Sequence, residues 1–119
     1  MRKLIVVLGA AALVSAPAAL AKERNVSMIG APVAPRAGQA WTATIAVKMD
    51  GRYTVGKSPV VRLINPAGRV LSIVSRPTSK AGIYRARIMF RTVGTWRVLV
   101  LDRETGRAYE FRKMNVRAT

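Results

Sequence analysis

Between residues 26 and 116 apolar side chains recur at every second position in short runs, and turn-forming residues separate the runs at nearly regular spacing. Alternation with a period of two marks strands with one buried face. Many short strands set apart by turns predict a sandwich or barrel. The first strand is expected at Val26 to Ile29, and Gly30 to Gly38, with Pro32 and Pro35, is a linker that cannot continue it. Ala40 to Met49 follows, with Trp41, Ala43, Ile45 and Val47 on one face and Thr42, Thr44 and Lys48 on the other. Asp50-Gly51 is a turn dipeptide. Val60 to Asn65 is the third strand, and Asn65-Pro66-Ala67-Gly68 is a type I turn with proline at its favoured position. Leu71 to Ser75 is the fourth.

Gly82 to Arg91 alternates most cleanly, with Tyr84, Ala86, Ile88 and Phe90 inward and Arg85, Arg87, Met89 and Arg91 outward. In Thr95 to Leu101, Trp96, Val98 and Val100 share a face. Joining the two as a hairpin sets Phe90 opposite Trp96 and Ile88 opposite Val98, closed by Thr92-Val93-Gly94 with Gly94 at the left-handed position. The Asp102 to Arg107 turn leads to the last strand, Ala108 to Val116. That hairpin register puts Arg97 across from Met89, and Arg85 and Arg87 near Leu99 and Leu101. One outer face then mixes arginine with aliphatic side chains. Arg85, Arg87 and Arg97 are therefore the candidate face for an anionic partner; a central strand covered by a loop or by the N-terminal segment fits the same pattern.

The N-terminus has a different grammar. Met1-Arg2-Lys3 is positive, Leu4 to Val14 is uninterruptedly apolar, and Ser15 to Ala21 ends Ala19-Leu20-Ala21 before Lys22. This is the layout of a secretory signal with an A-x-A cleavage site, so residues 1–21 are expected to be removed and the protein to be periplasmic or secreted. As a helix the apolar run would rise only ~16 Å, about half of a bilayer core, so no transmembrane anchor is expected after cleavage. Residues 22–25 then form a flexible lead-in and residues 26–117 one domain, an all-β immunoglobulin-like sandwich of about seven antiparallel strands. With no cysteine in the chain, disulfides cannot compensate for the modest core of so short a domain.

The residues of the Gly82–Val100 stretch also carry a resemblance. Gly82-x-Tyr84-x-Ala86-x-Ile88-x-Phe90 followed by Gly94-x-Trp96-x-Val98-x-Val100 resembles the C-terminal half of YtkA-like domains, small exported immunoglobulin-like sandwiches of bacteria. Gly38-x-x-Trp41, Asp50-Gly51, Pro59-x-Val61 and Asn65-x-x-Gly68 fit the same pattern, so the resemblance spans about Val26 to Val116. It implies the sandwich fold. It implies function only loosely, because such folds host many unrelated sites. FixH-like and CopC-like proteins of similar architecture serve respiratory-oxidase assembly and periplasmic copper handling, which makes an accessory role in metal handling or respiratory-complex assembly the alternative function. The histidines of CopC-like copper sites are absent here.

Composition narrows the chemistry. There are 21 Lys+Arg against 5 Asp+Glu, a net charge of +16, which falls to +14 once Arg2 and Lys3 leave with the signal. Such a surface attracts anions, whether phosphate-rich glycolipid, anionic phospholipid, acidic protein or nucleic acid, and also serves solubility alone. Most of the cations are arginine, which grips phosphate or carboxylate with two parallel hydrogen bonds. Without histidine or cysteine, nucleophile–histidine catalysis and zinc sites built from those ligands are ruled out. The five acids are scattered. Asp50, Asp102 and Glu104 read as turn formers and ion-pair partners rather than a glycosidase pair or a calcium cluster. Met28, Met49, Met89 and Met114 are not clustered as M-x-M, so core packing is expected of Met49 and no copper site is assigned. Trp41, Tyr84, Phe90 and Trp96 all fall on inward parity, which removes the exposed stacking aromatics that single-stranded nucleic acid needs. The expectation is a non-catalytic binding module without cofactor, engaging an anionic component or a protein of the cell envelope.

Overall fold

In the computed structural model, residues 23–119 are described; the predicted signal peptide and Lys22 lie outside them. Among the described residues there is no helix. The described residues form nine strands, in chain order β1 (Arg24–Ile29), β2 (Ala40–Met49), β3 (Arg52–Tyr53), β4 (Val60–Ile64), β5 (Val70–Val74), β6 (Arg76–Pro77), β7 (Ile83–Met89), β8 (Gly94–Leu101) and β9 (Ala108–Val116). They form two antiparallel sheets. One has the order β1-β2-β7-β6, with β3 also paired to β2; the other has the order β9-β8-β4-β5. Val26, Ile45, Tyr84, Ile88 and Phe90 of the first meet Val61, Leu63, Trp96, Val98 and Met114 of the second in one buried cluster. The inward parity expected of β2, β7 and β8 is the parity observed, except that Trp41 is only partly buried. In β9 a bulge between Glu110 and Arg112 lets Phe111 pack on the cluster while Met114 stays buried.

The Phe90–Trp96 hairpin does not form. β7 pairs with β2 and β6, whereas β8 pairs with β4 and β9, so the chain crosses from one sheet to the other between Phe90 and Gly94. Leu63, not Ile88, lies opposite Val98. The physical reason is that a hairpin and a crossing satisfy the same inward parity. Both bury Tyr84, Ala86, Ile88 and Phe90 with Trp96, Val98 and Val100. Phe90 and Trp96 do meet, with ring centroids 5.2 Å apart and planes tilted by 54°, but across the core rather than side by side on one sheet. The crossing is pinned at both ends. Trp96 Nε1 donates to Thr92 O at 2.8 Å, and Gly38 N donates to Phe90 O at 2.8 Å. Gly94 has the expected positive φ, 128°, for a different reason: a Cβ there would lie 2.6 Å from Pro66 Cγ in the β4–β5 turn.

Local chemistry explains the remaining connections. Asp50 and Gly51 have φ of 53° and 78°, as a two-residue turn between β2 and β3 requires. The predicted Asn65–Gly68 turn closes with Gly68 N donating to Asn65 O at 2.9 Å, while Asn65 Oδ1 accepts from Ala67 N and Arg69 N. At Ser75 the chain switches sheets a second time, from β5 to β6. Its side chain is buried, and both its N and its Oγ donate to Pro59 O, at 3.0 and 2.6 Å. Pro35 to Ala37 runs beside Arg117 through a parallel bridge, tying the proline-rich linker to the end of β9.

Candidate interaction surfaces

The first site is electrostatic and links the two sheets. β1 begins at Arg24, two residues earlier than expected, so Arg24 and Asn25 belong to the sheet and not to a lead-in. The reason is the side chain of Arg24, which reaches Asp102 at the end of β8. Its Nε donates to Asp102 Oδ2 and its Nη2 to Oδ1 at 3.1 Å. Asp102 Oδ1 also accepts from Glu104 N at 3.0 Å, and Asp102 is 1% exposed. Burial alone would raise the Asp102 carboxyl; the guanidinium and the Glu104 N–H outweigh it and hold the group below the usual carboxylate range. The hydrogen bond to Asp102 raises Arg24 further above its ordinary value. The sequence places Asp102 in its turn, but its partner is Arg24 rather than the adjacent Arg103 or Arg107.

Three further acids are also engaged. Arg97 binds Glu110 on the neighbouring strand through Nη2 to Oε1 at 2.7 Å and Nε to Oε2 at 3.1 Å, and this contact lowers the Glu110 carboxyl. Glu104 Oε1 accepts from Lys57 N at 2.7 Å, and Asp50 Oδ1 from Glu23 N at 2.9 Å. Among the described residues, no group of three or more acids could hold a metal ion. Met114 is buried in the core, Met28 packs against it, and Met49 is half-buried.

The arginines proposed as one face are split between two. Arg85 and Arg87 stand exposed on the outer side of β7, opposite Thr44 and Thr42 of β2. Arg97 stands on the outer side of β8, in the other sheet, across from Ile64 and Lys113. A hairpin would have joined them on one sheet; the crossing between Phe90 and Gly94 separates them. The structure instead adds Arg76, paired with Arg85 across the β6–β7 ladder. Arg76 is missed by sequence because a two-residue strand ending in proline has no periodicity to detect. Arg76, Arg85 and Arg87 form no ion pair among the described residues, where Arg24–Asp102 and Arg97–Glu110 are the two salt bridges. The mixture of arginine and aliphatic residues foreseen for one outer face does exist, but on the second sheet. There Arg62 and Arg97 stand among Ile64, Leu99 and Leu101, with Arg62 opposite Leu99 and Val60 opposite Leu101.

Compared with known proteins, the chain matches no family model and no curated protein.

Proposed function

We propose that this protein is an exported, non-catalytic immunoglobulin-like binding module that engages an anionic or macromolecular partner of the cell envelope. The strand order supports the immunoglobulin-like assignment. β1-β2-β7-β6 corresponds to strands A-B-E-D and β9-β8-β4-β5 to G-F-C-C′. The resemblance to YtkA-like domains is in keeping with that order. The observation that carries the binding role is the cluster of Arg76, Arg85 and Arg87, exposed together on one sheet, while the two salt bridges among the described residues engage other arginines. A surface of one sign without internal counter-charges raises the local concentration of anions and speeds their encounter.

Binding of the full-length protein to polyglutamate and to phosphatidylglycerol-containing vesicles, across a salt series, tests this function. The Arg76/Arg85/Arg87→Gln variant should bind more weakly and with a flatter salt dependence, because fewer counterions are released per contact. Folding should change little, since exposed charges contribute little to stability. Arg97→Gln, which removes a cation already paired with Glu110, should leave binding nearly unchanged. Equal affinities and slopes for wild type and the triple variant would assign the basic excess to solubility.

A further inference from the structure

One side of the molecule is unfinished. The first sheet ends on β6, which is only two residues long, so among the described residues no strand lies beside Ala86 to Met89 of β7 on that edge. Facing this gap is β5, the last strand of the second sheet, with β4 on one side and, among the described residues, no strand on the other. Residues of an antiparallel pair alternate between bonding their neighbour and pointing away. Asn65 N donates to Arg69 O, and Ser75 N donates to Pro59 O, which fixes the phase of this pair. Leu71 and Ile73 therefore turn their backbone groups to β4. The N–H and C=O of Val70, Ser72 and Val74 point to the open edge.

The side chains there are equally unfinished. Val70, Leu71 and Val74 are 56%, 46% and 57% exposed. Leu71 lies across from the fully buried Leu63 and shares its inward face, but β6 stops too soon to cover it. Beside the strand lies a groove of about 470 Å³ lined in part by Ile73, Val74, Arg76, Arg85 and Arg87. An aliphatic edge with open backbone groups is a template for an added strand.

Charge decides which strand. Arg69 and Arg76 bracket β5, Arg62 stands on β4 opposite Ser72, and Arg85 and Arg87 border the groove; none of the five forms an ion pair among the described residues. Two copies pairing edge to edge about Ser72 would bring both sets of these arginines together along one seam, an unfavourable accumulation of like charge. An acidic strand meets the same arginines favourably. We infer that β5 is the docking edge for an extended segment of a partner protein, aliphatic and acidic at alternate positions, which adds as a fifth strand to the β9-β8-β4-β5 sheet. The aliphatic positions cover Leu71 and Ile73, and the acidic positions answer the surrounding arginines. This assignment rests on the anionic-partner function above and names its chemistry and its place.

The test titrates the full-length protein with a synthetic seven-residue peptide alternating valine and glutamate, followed by amide hydrogen exchange. Binding should slow exchange at Val70, Ser72 and Val74 and leave the β1 edge unaffected. The same peptide N-methylated at alternate amides keeps its charge but cannot form the ladder. It should bind at least about tenfold more weakly, as expected for one or two net hydrogen bonds lost. Ser72→Pro removes an edge N–H that no internal partner uses, a position where proline is tolerated, and should abolish binding of the unmodified peptide. Equal binding of the methylated peptide, or protection at other residues, would overturn strand addition while leaving an anionic partner intact. Concentration-dependent self-association with protection at β5 would make the occupant a second copy. No binding by this peptide, polyglutamate or anionic vesicles would overturn both proposals and leave the arginines as guards against aggregation.

Discussion

Trp96 and Trp41 share inward parity but not the same environment. Trp96 is 4% exposed, packs on Phe90 and gives its indole N–H to Thr92 O. Trp41 also packs near Phe90, at 6.2 Å between centroids, yet its Nε1 is buried with no partner among the described residues. Trp96→Ala should cost about 3–5 kcal/mol, as large aromatic truncations in cores do. Replacement by phenylalanine separates the two sites further. Trp96→Phe deletes a made hydrogen bond, whereas Trp41→Phe deletes an unsatisfied donor, so the former should be the more destabilising by about 1 kcal/mol. Urea midpoints of the two variants decide this, and equal midpoints would deny the Thr92 contact its role. At Gly94 the cause of strain is also separable. Gly94→Ala meets both a positive φ and Pro66, so it should destabilise by at least about 1–2 kcal/mol. Adding Pro66→Ala should recover part of that cost, a coupling of about 0.5–2 kcal/mol in a double-mutant cycle. Strict additivity would mean that the backbone conformation alone matters there.

Among the elements, what sequence makes legible is parity, and what it hides is partnership. Alternation locates β2, β7, β8 and β9 and identifies Tyr84, Ile88, Phe90, Trp96 and Val98 as core, because burial of one face is a local property with a period of two. Which strands pair is not local. The segment Phe90–Gly94 can turn back on its own sheet or cross to the other with the same residues inward, and what separates the two is contact with distant parts of the chain, Gly38 N with Phe90 O and Gly94 with Pro66. Arg85, Arg87 and Arg97 are individually legible as outward residues for the same reason, and their separation onto two sheets is not. Short strands are hidden for want of length: β3 and β6 have two residues each. The switch at Ser75 is marked only by a buried hydroxyl between Val74 and Arg76. Ser75→Ala leaves Pro59 O with the backbone N–H alone and should cost about 1 kcal/mol, while Ser75→Val should cost more by overfilling a buried corner. Thermal melting of the pair checks the order.

On the scale of the whole molecule, Arg24 and Asp102 fasten the first strand to the turn that precedes the last. Asp102→Asn leaves a largely buried guanidinium without its counter-charge and should cost roughly 3 kcal/mol at pH 7. The pH dependence follows from the depressed Asp102 carboxyl. Its contribution is complete above the unfolded value near about 4 and is lost as the pH falls through the lower folded value. Wild type should therefore lose stability on acidification below about pH 4, and the gap to Asp102→Asn should narrow there. Denaturant titrations at neutral and acidic pH measure both slopes, and parallel slopes would show that the pair is not the titrating element. The same contact has a consequence in time. Its two ends are 78 residues apart, and β8, at the centre of its sheet, needs β9 beside it. While the chain is being synthesised, Arg24 has no counter-charge until Asp102 has emerged, and the second sheet stays incomplete until Val116 follows. Domains dominated by such long-range pairing fold in about milliseconds to seconds. For that interval the polypeptide is without its closed sandwich, and its apolar strands are open to other chains.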